Sequence, residues 1–211
     1  MRSVTVGTVA DERVSNRRTR VQSRRIACTN RVWNVYFTHV TDGAADVPDY
    51  LVMEPKIRIA GDVTGVAVLP IVSGKIGLLR IHRVALDAPF LEAPKGFIDP
   101  GEDAKAAAHR ELVEETGLAC EPGELVALGS MTPEASTLAA RIKLFAALRC
   151  RPTGAALDAE LGLGALEFSS LARVRDMMGT AEIEDAATLV ALYRLLAIAN
   201  GDVMVRAALM G

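Results

Sequence analysis

The chain has 211 residues, 50% of them hydrophobic, and a formal net charge of −2. That length and apolar content suit one substantial packed domain with a small extension, and the near-neutral charge sets up no global field favouring nucleic acid or an anionic membrane surface. No apolar run reads as a membrane span and no leader pattern opens the chain; Cys28, Cys120 and Cys150 are odd in number, far apart and outside any CxxC pair, so they read as reduced thiols of a cytoplasmic protein, neither a disulfide frame nor a zinc site.

Residues 1–60 form a first section. Its stretch 13–25 carries Arg13, Arg17, Arg18, Arg20, Arg24 and Arg25. It reads as a solvated or loosely ordered arm, with a contribution to binding an anionic substrate across a dimer as the alternative; a nucleic-acid partner is not expected, because interleaved aromatics are missing. Residues 31–40 (RVWNVYFTHV) are aromatic and β-branched and predict a strand. A loop at 43–48 and a second strand over 50–59, interrupted at Pro55, complete a small antiparallel section. The main domain then takes residues 61–211. Apolar runs at 65–72 and 75–81 flank Ser73-Gly74 and predict a hairpin. A short strand follows at 91–94, a helix over 103–116, and further strands at 125–130 and 141–149. Residues 153–164 read as a loop, 169–178 as a helix stopped by Gly179, and 185–200 as an apolar helix with Asp185 as N-cap and Gly201 just past its end. Strands mixed with a few helices suggest a sheet lying between helices.

The segment 96–118, GFIDPGEDAKAAAHRELVEETGL, carries the chemistry. Residues 103–116 are good helix formers, Glu102-Asp103 place negative charge at the N-terminus, and Gly117 suits a left-handed stop. Glu111, Glu114 and Glu115 stand at i, i+3 and i+4 and share one face, while Ala108 and Leu112 are placed for packing. Three carboxylates on one face repel unless a counter-charge is present, and Mg2+ or Mn2+, hard cations that take oxygen ligands, would supply it. Arg110 precedes Glu114 by one helical turn and can pair with it; Glu102 can hold Arg110 or cap the helix.

Gly96, Glu102, Arg110, Glu111, Leu112, Glu114, Glu115, Gly117 and Leu118 fill every specified position of the Nudix box, G-x5-E-x7-R-E-U-x-E-E-x-G-U. The chain thus resembles the Nudix hydrolases, which cleave nucleoside diphosphates linked to another group. The resemblance implies an α+β fold, an α/β/α sandwich with a mixed sheet between helices and a small N-terminal antiparallel section. It implies Glu111 and Glu115 as metal ligands, Glu114 assisting, and the backbone carbonyl of Lys95 as a further ligand.

Outside the box, the chain resembles the ADP-ribose pyrophosphatase branch. Residues 92–96 (EAPKG), 81–83 (IHR), Pro133 and 183–189 (IEDAATL) stand in the order that branch shows. The resemblance implies cleavage of ADP-ribose to AMP and ribose 5-phosphate, with Arg83 on a phosphate, Glu92 orienting the ribose or supporting the metal loop, Trp33 stacking on the base, and a homodimer joined through the N-terminal section. It implies a water-activating glutamate on a downstream loop. Glu160 is the only glutamate of 153–164, and Asp158 is that loop's other acid. One departure stands out: where the branch has a glycine after the proline, this chain has Glu134. The alternative readings are hydrolysis of another nucleoside diphosphate sugar or a dinucleotide, or a nucleotide-sensing regulator with this fold.

Overall fold

A computed structural model describes residues 18–154 and 161–210. Contacts cluster into two compact units, one ending at Glu54 and the other beginning at Pro55.

The N-terminal unit is a three-stranded sheet in the order β1 (Arg20–Thr29), β2 (Trp33–Thr41), β3 (Asp46–Pro55). Asn30 turns the first hairpin: its Oδ1 accepts the N–H groups of Val32 and Trp33. From Arg20 onward the segment is exposed, as a solvated arm would be, but it is not loosely ordered: it is a strand paired antiparallel with β2. Its charges found partners a sequence pattern does not display. Arg24 stacks on Tyr36 at 4.3 Å and bonds Glu54 at 2.8 Å, and Arg25 stacks on Phe37 at 4.5 Å. Arg13 and Arg17 lie outside the described residues. The expected loop at 43–48 closes sooner than predicted, because Asp42 Oδ1 takes the N–H groups of Ala44 and Ala45 and β3 begins at Asp46.

In the second unit, the chain runs β4 (Val63–Val72), β5 (Lys75–Arg83), β6 (Ala88–Glu92), β7 (Lys95–Phe97), α1 (Ala104–Thr116), β8 (Leu118–Ala119), β9 (Leu125–Met131), β10 (Arg141–Ala147), β11 (Arg151–Pro152), β12 (Leu163–Ser170), α2 (Leu171–Gly179), α3 (Ala186–Ala199) and α4 (Val203–Met210). Seven strands make one mixed sheet, with the path β12-β5-β4-β10-β9. β4 and β10 are parallel, and the other pairs are antiparallel. β4 is buried almost throughout, as a strand covered on both faces must be.

Strand alternation divides the core into two layers. Ala67, Leu69 and Ile71 of β4, with Leu144 and Ala146 of β10, pack against Ala187, Ala191, Leu192 and Leu195 of α3 and against α2 and α4. Val66 and Val68, with Phe145 and Ala147, pack against Ala107, Ala108 and Leu112 of α1. The sheet is thus sandwiched between helices, as expected. Each fully buried Leu or Ile contributes about 1.5–3 kcal/mol. Strand β12 starts within the predicted 153–164 loop, and α4 and the short β8–β11 pair were not anticipated. Among the described residues, no single helix is long and apolar enough to cross a membrane.

Candidate active site

The β4–β5 hairpin pairs at only two positions next to its turn, Ile71↔Ile76 and Val72↔Lys75. Beyond them the two strands separate, and the segment leading into the box enters the gap. β6 pairs with β5, with Leu79 opposite Glu92, while β7 pairs with β4, with Val66 opposite Gly96. Between these strands Pro94 accepts the Val68 N–H at 2.9 Å. Residues 92–97 are therefore held in the middle of the sheet, under α1.

α1 begins where the sequence expects. Asp103 is its N-cap, accepting from the N–H groups of Lys105 and Ala106, and Gly117 ends it in the left-handed region at φ 67°. Of the two roles open to Glu102, it takes the first and holds Arg110. Arg110 Nε donates to Glu102 Oε1 at 3.1 Å and Nη2 to Oε2 at 3.0 Å. Nη1 donates to Glu111 Oε1 at 2.7 Å and to Glu114 Oε2 at 2.9 Å, and Nη2 reaches the Phe97 carbonyl at 2.9 Å. The guanidinium fork thus ties α1 to β7. The hydrogen bonds that Arg110 donates to Glu102, then to Glu111 and Glu114, raise its pKa, and Arg110 in turn lowers that of Glu102.

Glu111 and Glu115 are buried, and Glu114 is half-buried. The box glycine has a steric reason: a Cβ at Gly96 would overlap the Glu111 carboxylate, which lies against the β7 backbone there. Glu115 Oε2 accepts the Lys95 N–H at 2.9 Å. Two buried carboxylates thus face the strand that leads into the box.

A second cluster adjoins this one and was not visible in the sequence as a cluster. Glu92, 2% exposed, accepts from Arg83 at 2.5 and 3.0 Å and pairs with Lys95 Nζ at 2.7 Å. Lys95 Nζ also bonds Asp185, the N-cap of α3. Asp185 Oδ2 accepts from the Thr188 N–H at 2.9 Å and from its hydroxyl at 2.7 Å. Thr188, fully buried, accepts the Ala93 N–H at 2.8 Å. Burial opposes ionisation of Asp185, but the Lys95 charge and the Lys95 and Thr188 hydrogen bonds outweigh it and hold its pKa below the ordinary value. The 183–189 motif therefore does more than start a helix: it fixes the backbone on which Lys95 presents its N–H to Glu115. The signal that could have found it is the pairing of a lysine before the box glycine with a D-x-x-T helix start.

The structure brings Arg83, Glu92, Lys95, Arg110, Glu111, Glu114 and Glu115 onto adjoining elements of the second unit. Arg83 and Glu92, read separately as phosphate and ribose contacts, bind each other. Pro133 is half-buried in the turn after β9. Beside it, Glu134 has no left-handed backbone, and its Oε1 accepts the Ser136 N–H at 2.9 Å. Glutamate closes this turn in its own way where the related branch has glycine. Trp33 lies in the N-terminal unit, half-buried at the start of β2. Glu160 and Asp158 lie outside the described residues.

Among the described residues, no three Asp, Glu, His or Cys side chains gather tightly enough to close round a metal ion. Glu111 and Glu114 instead share Arg110 Nη1. The donor set still fits a hard divalent cation: it is made of carboxylate oxygens on successive positions of one helix face, with Gly96 leaving room for Glu111 to move over the β7 backbone.

Residues 62–164 match the family model described as the NUDIX domain. The chain therefore carries a NUDIX domain over those residues. Its relatives include the ADP compounds hydrolase NudE of Escherichia coli, 29% identical over 61% of this chain and 67% of that protein. The ADP-ribose pyrophosphatase of Saccharomyces cerevisiae is 41% identical over 28% of this chain, and the RNA pyrophosphohydrolase of Dinoroseobacter shibae 54% identical over 22%. Each of these two matches spans only 29% of the relative's length. The crystal structure of an ADP compounds hydrolase superposes with a TM-score of 0.72 at 21% identity, over 87% of this chain and 95% of that one, and shows the same Nudix fold. The chain thus carries a Nudix domain related to those of hydrolases of ADP compounds and ADP-ribose.

Proposed function

We propose that the chain hydrolyses the diphosphate linkage of a nucleoside diphosphate derivative, with ADP-ribose as substrate, AMP and ribose 5-phosphate as products, and Mg2+ or Mn2+ as the required ion. The observation that carries this reading is the buried pair Glu111 and Glu115 facing Gly96 and Lys95, supported by the relatives' activities on ADP compounds and ADP-ribose.

Glu111 and Glu115 would hold the ion, with Glu114 and the Lys95 carbonyl assisting. Bound there, a divalent cation lowers the pKa of coordinated water and offsets charge developing on phosphate oxygens. Arg110 orients Glu111 and Glu114 and keeps α1 fixed on β7. Glu160 is the proposed base that takes the proton of the attacking water. Arg83, oriented by Glu92, pairs with a phosphate through its planar fork. Trp33 stacks on the adenine, and the Pro133 turn borders the substrate. The assignment of residues 1–60 as a dimerising section and 61–211 as the catalytic domain belongs to this proposal, as does a cytoplasmic homodimer. Exposed Val21 and Ile26 on β1 support the dimer surface.

The test is a substrate panel of ADP-ribose, other nucleoside diphosphate sugars, NADH and a pyrophosphate-bearing RNA, each with Mg2+, Mn2+ or chelator. Preferential, metal-dependent release of AMP from ADP-ribose is expected. Preference for another member overturns the substrate. Tight nucleotide binding with no turnover of any member overturns the enzyme reading in favour of a sensor. Light scattering on a size-exclusion column tests the dimer.

A further inference from the structure

Cys120 and Cys150 stand far apart in the sequence, but the fold brings them together. β8 and β11 pair antiparallel, with Arg151 opposite Ala119 and Pro152 opposite Leu118. The next step of the same register sets Cys150 opposite Cys120. The hydrogen-bond phase is also fixed. Thr153 N–H donates to the Gly117 carbonyl at 2.9 Å, and Pro152 has no N–H to donate, so 152/118 is a non-hydrogen-bonded pair. Two residues further on, 150/120 is of the same kind, and the Cys150 N–H accordingly turns away, to the Ile71 carbonyl at 2.8 Å. Opposed residues at such a position have Cα atoms about 4.5 Å apart, inside the span of about 4.4–6.8 Å that a disulfide bridges.

We propose that Cys120 and Cys150 are a peroxide-oxidisable dithiol that closes to a cross-strand disulfide behind the catalytic helix. Cys120 is the attacking thiol. It is 8% exposed against 4% for Cys150, and it lines a cavity of about 150 Å³ with Glu121, Glu124, Arg149 and Arg151, which admits a small oxidant. His109 Nε2 of α1 lies 4.0 Å from its sulfur. The interaction with Cys150 lowers the Cys120 pKa, whereas that with Cys120, together with burial, raises the Cys150 pKa, and the Cys150 thiol donates to the Ala147 carbonyl at 3.1 Å. Cys150 is thus the resolving partner. In the first step the Cys120 thiolate attacks a peroxide oxygen, the O–O bond breaks, the leaving hydroxide takes up the proton the thiol had given up and departs as water, and Cys120 becomes a sulfenic acid. In the second, the Cys150 sulfur attacks the Cys120 sulfur, the S–O bond breaks, and a second water leaves with the Cys150 proton. Two thiols lose two electrons, and one peroxide gains them.

Reduced protein treated with a small excess of hydrogen peroxide, alkylated and mapped by peptide mass spectrometry tests this. The expected result is a Cys120–Cys150 linked peptide lacking two hydrogens, with Cys28, the exposed cysteine, outside the linkage. In C150S the expected result is a dimedone adduct on Cys120. Recovery of Cys120 and Cys150 as alkylated thiols under conditions that oxidise Cys28 overturns the proposal. So does conversion of Cys120 to sulfinic acid with no linked peptide in the wild-type chain. C28S, which removes the competing exposed thiol, must give the same linked peptide.

Discussion

Replacing Thr188 with valine keeps the branched shape of the side chain and removes its hydroxyl, so the perturbation is confined to hydrogen bonding. Thr188 is fully buried, and two bonds end at its Oγ1: the acceptor contact from the Ala93 N–H at 2.8 Å and the donor contact to Asp185 at 2.7 Å. Ala93 is itself buried, so its N–H would be left without its partner. An unsatisfied buried donor costs about 1–3 kcal/mol, and a lost bond to a charged acceptor about 1.5–3 kcal/mol. Asp185 keeps the Thr188 N–H and Lys95, so the second loss is partly offset. The expected destabilisation of T188V is therefore about 2–4 kcal/mol, or a fall in Tm of roughly 5–15 °C at this chain length. T188S, which retains the hydroxyl and loses one methyl, should lose only about 1 kcal/mol. Urea denaturation followed by helical circular dichroism is the assay, because every described helix lies in the second unit, whereas Trp33 fluorescence would report the first. A T188V chain within about 0.5 kcal/mol of wild type, or a T188S chain as damaged as T188V, would refute the reasoning.

Gly96→Ala places a methyl where the Glu111 carboxylate lies; Mn2+ affinity measured by titration calorimetry should fall at least about tenfold, with the circular dichroism spectrum retained. Arg110→Lys replaces a fork that serves Glu102, Glu111, Glu114 and Phe97 with a single ammonium, and its urea midpoint should drop by the equivalent of about 1–3 kcal/mol. Asp185 has a folded pKa below its unfolded value. Its contribution is complete above the ordinary carboxylate pKa of about 4 and is lost as pH falls through the folded value. Asp185→Asn should therefore show a shallower loss of stability between about pH 5 and pH 2 than wild type; an equally steep acid limb in both chains would contradict this.

The parts of the fold legible in the sequence are those specified by neighbours along the chain. Helix α1 carries its own Asp103 cap and Gly117 stop, and α3 carries its Asp185 cap. The β4–β5 turn at Ser73-Gly74 follows from local residue types. What escaped the sequence depends on distant partners. The hairpin separates because β6 and β7 insert into it, and nothing in its own residues announces that. Lys95 reaches Asp185 across most of the domain, so a residue expected to act through its carbonyl also has a role for its side chain. β1 reads as a solvated arm because its arginines are charged, yet Tyr36, Phe37 and Glu54 receive two of them. The box supplied the carboxylates and their shared face; why Gly96 must be glycine became visible only with Glu111 lying against it.

The central claim is that the buried face of α1 carries metal-dependent cleavage of ADP-ribose. Its most direct test is phosphorus NMR of ADP-ribose turnover by wild type and Glu115→Gln in Mg2+ and in chelator. Wild type should give AMP and ribose 5-phosphate with Mg2+ and none in chelator, and E115Q should lose more than about 100-fold with an unchanged circular dichroism spectrum. Turnover by E115Q near the wild-type rate, or wild-type turnover that persists in chelator, would contradict the claim.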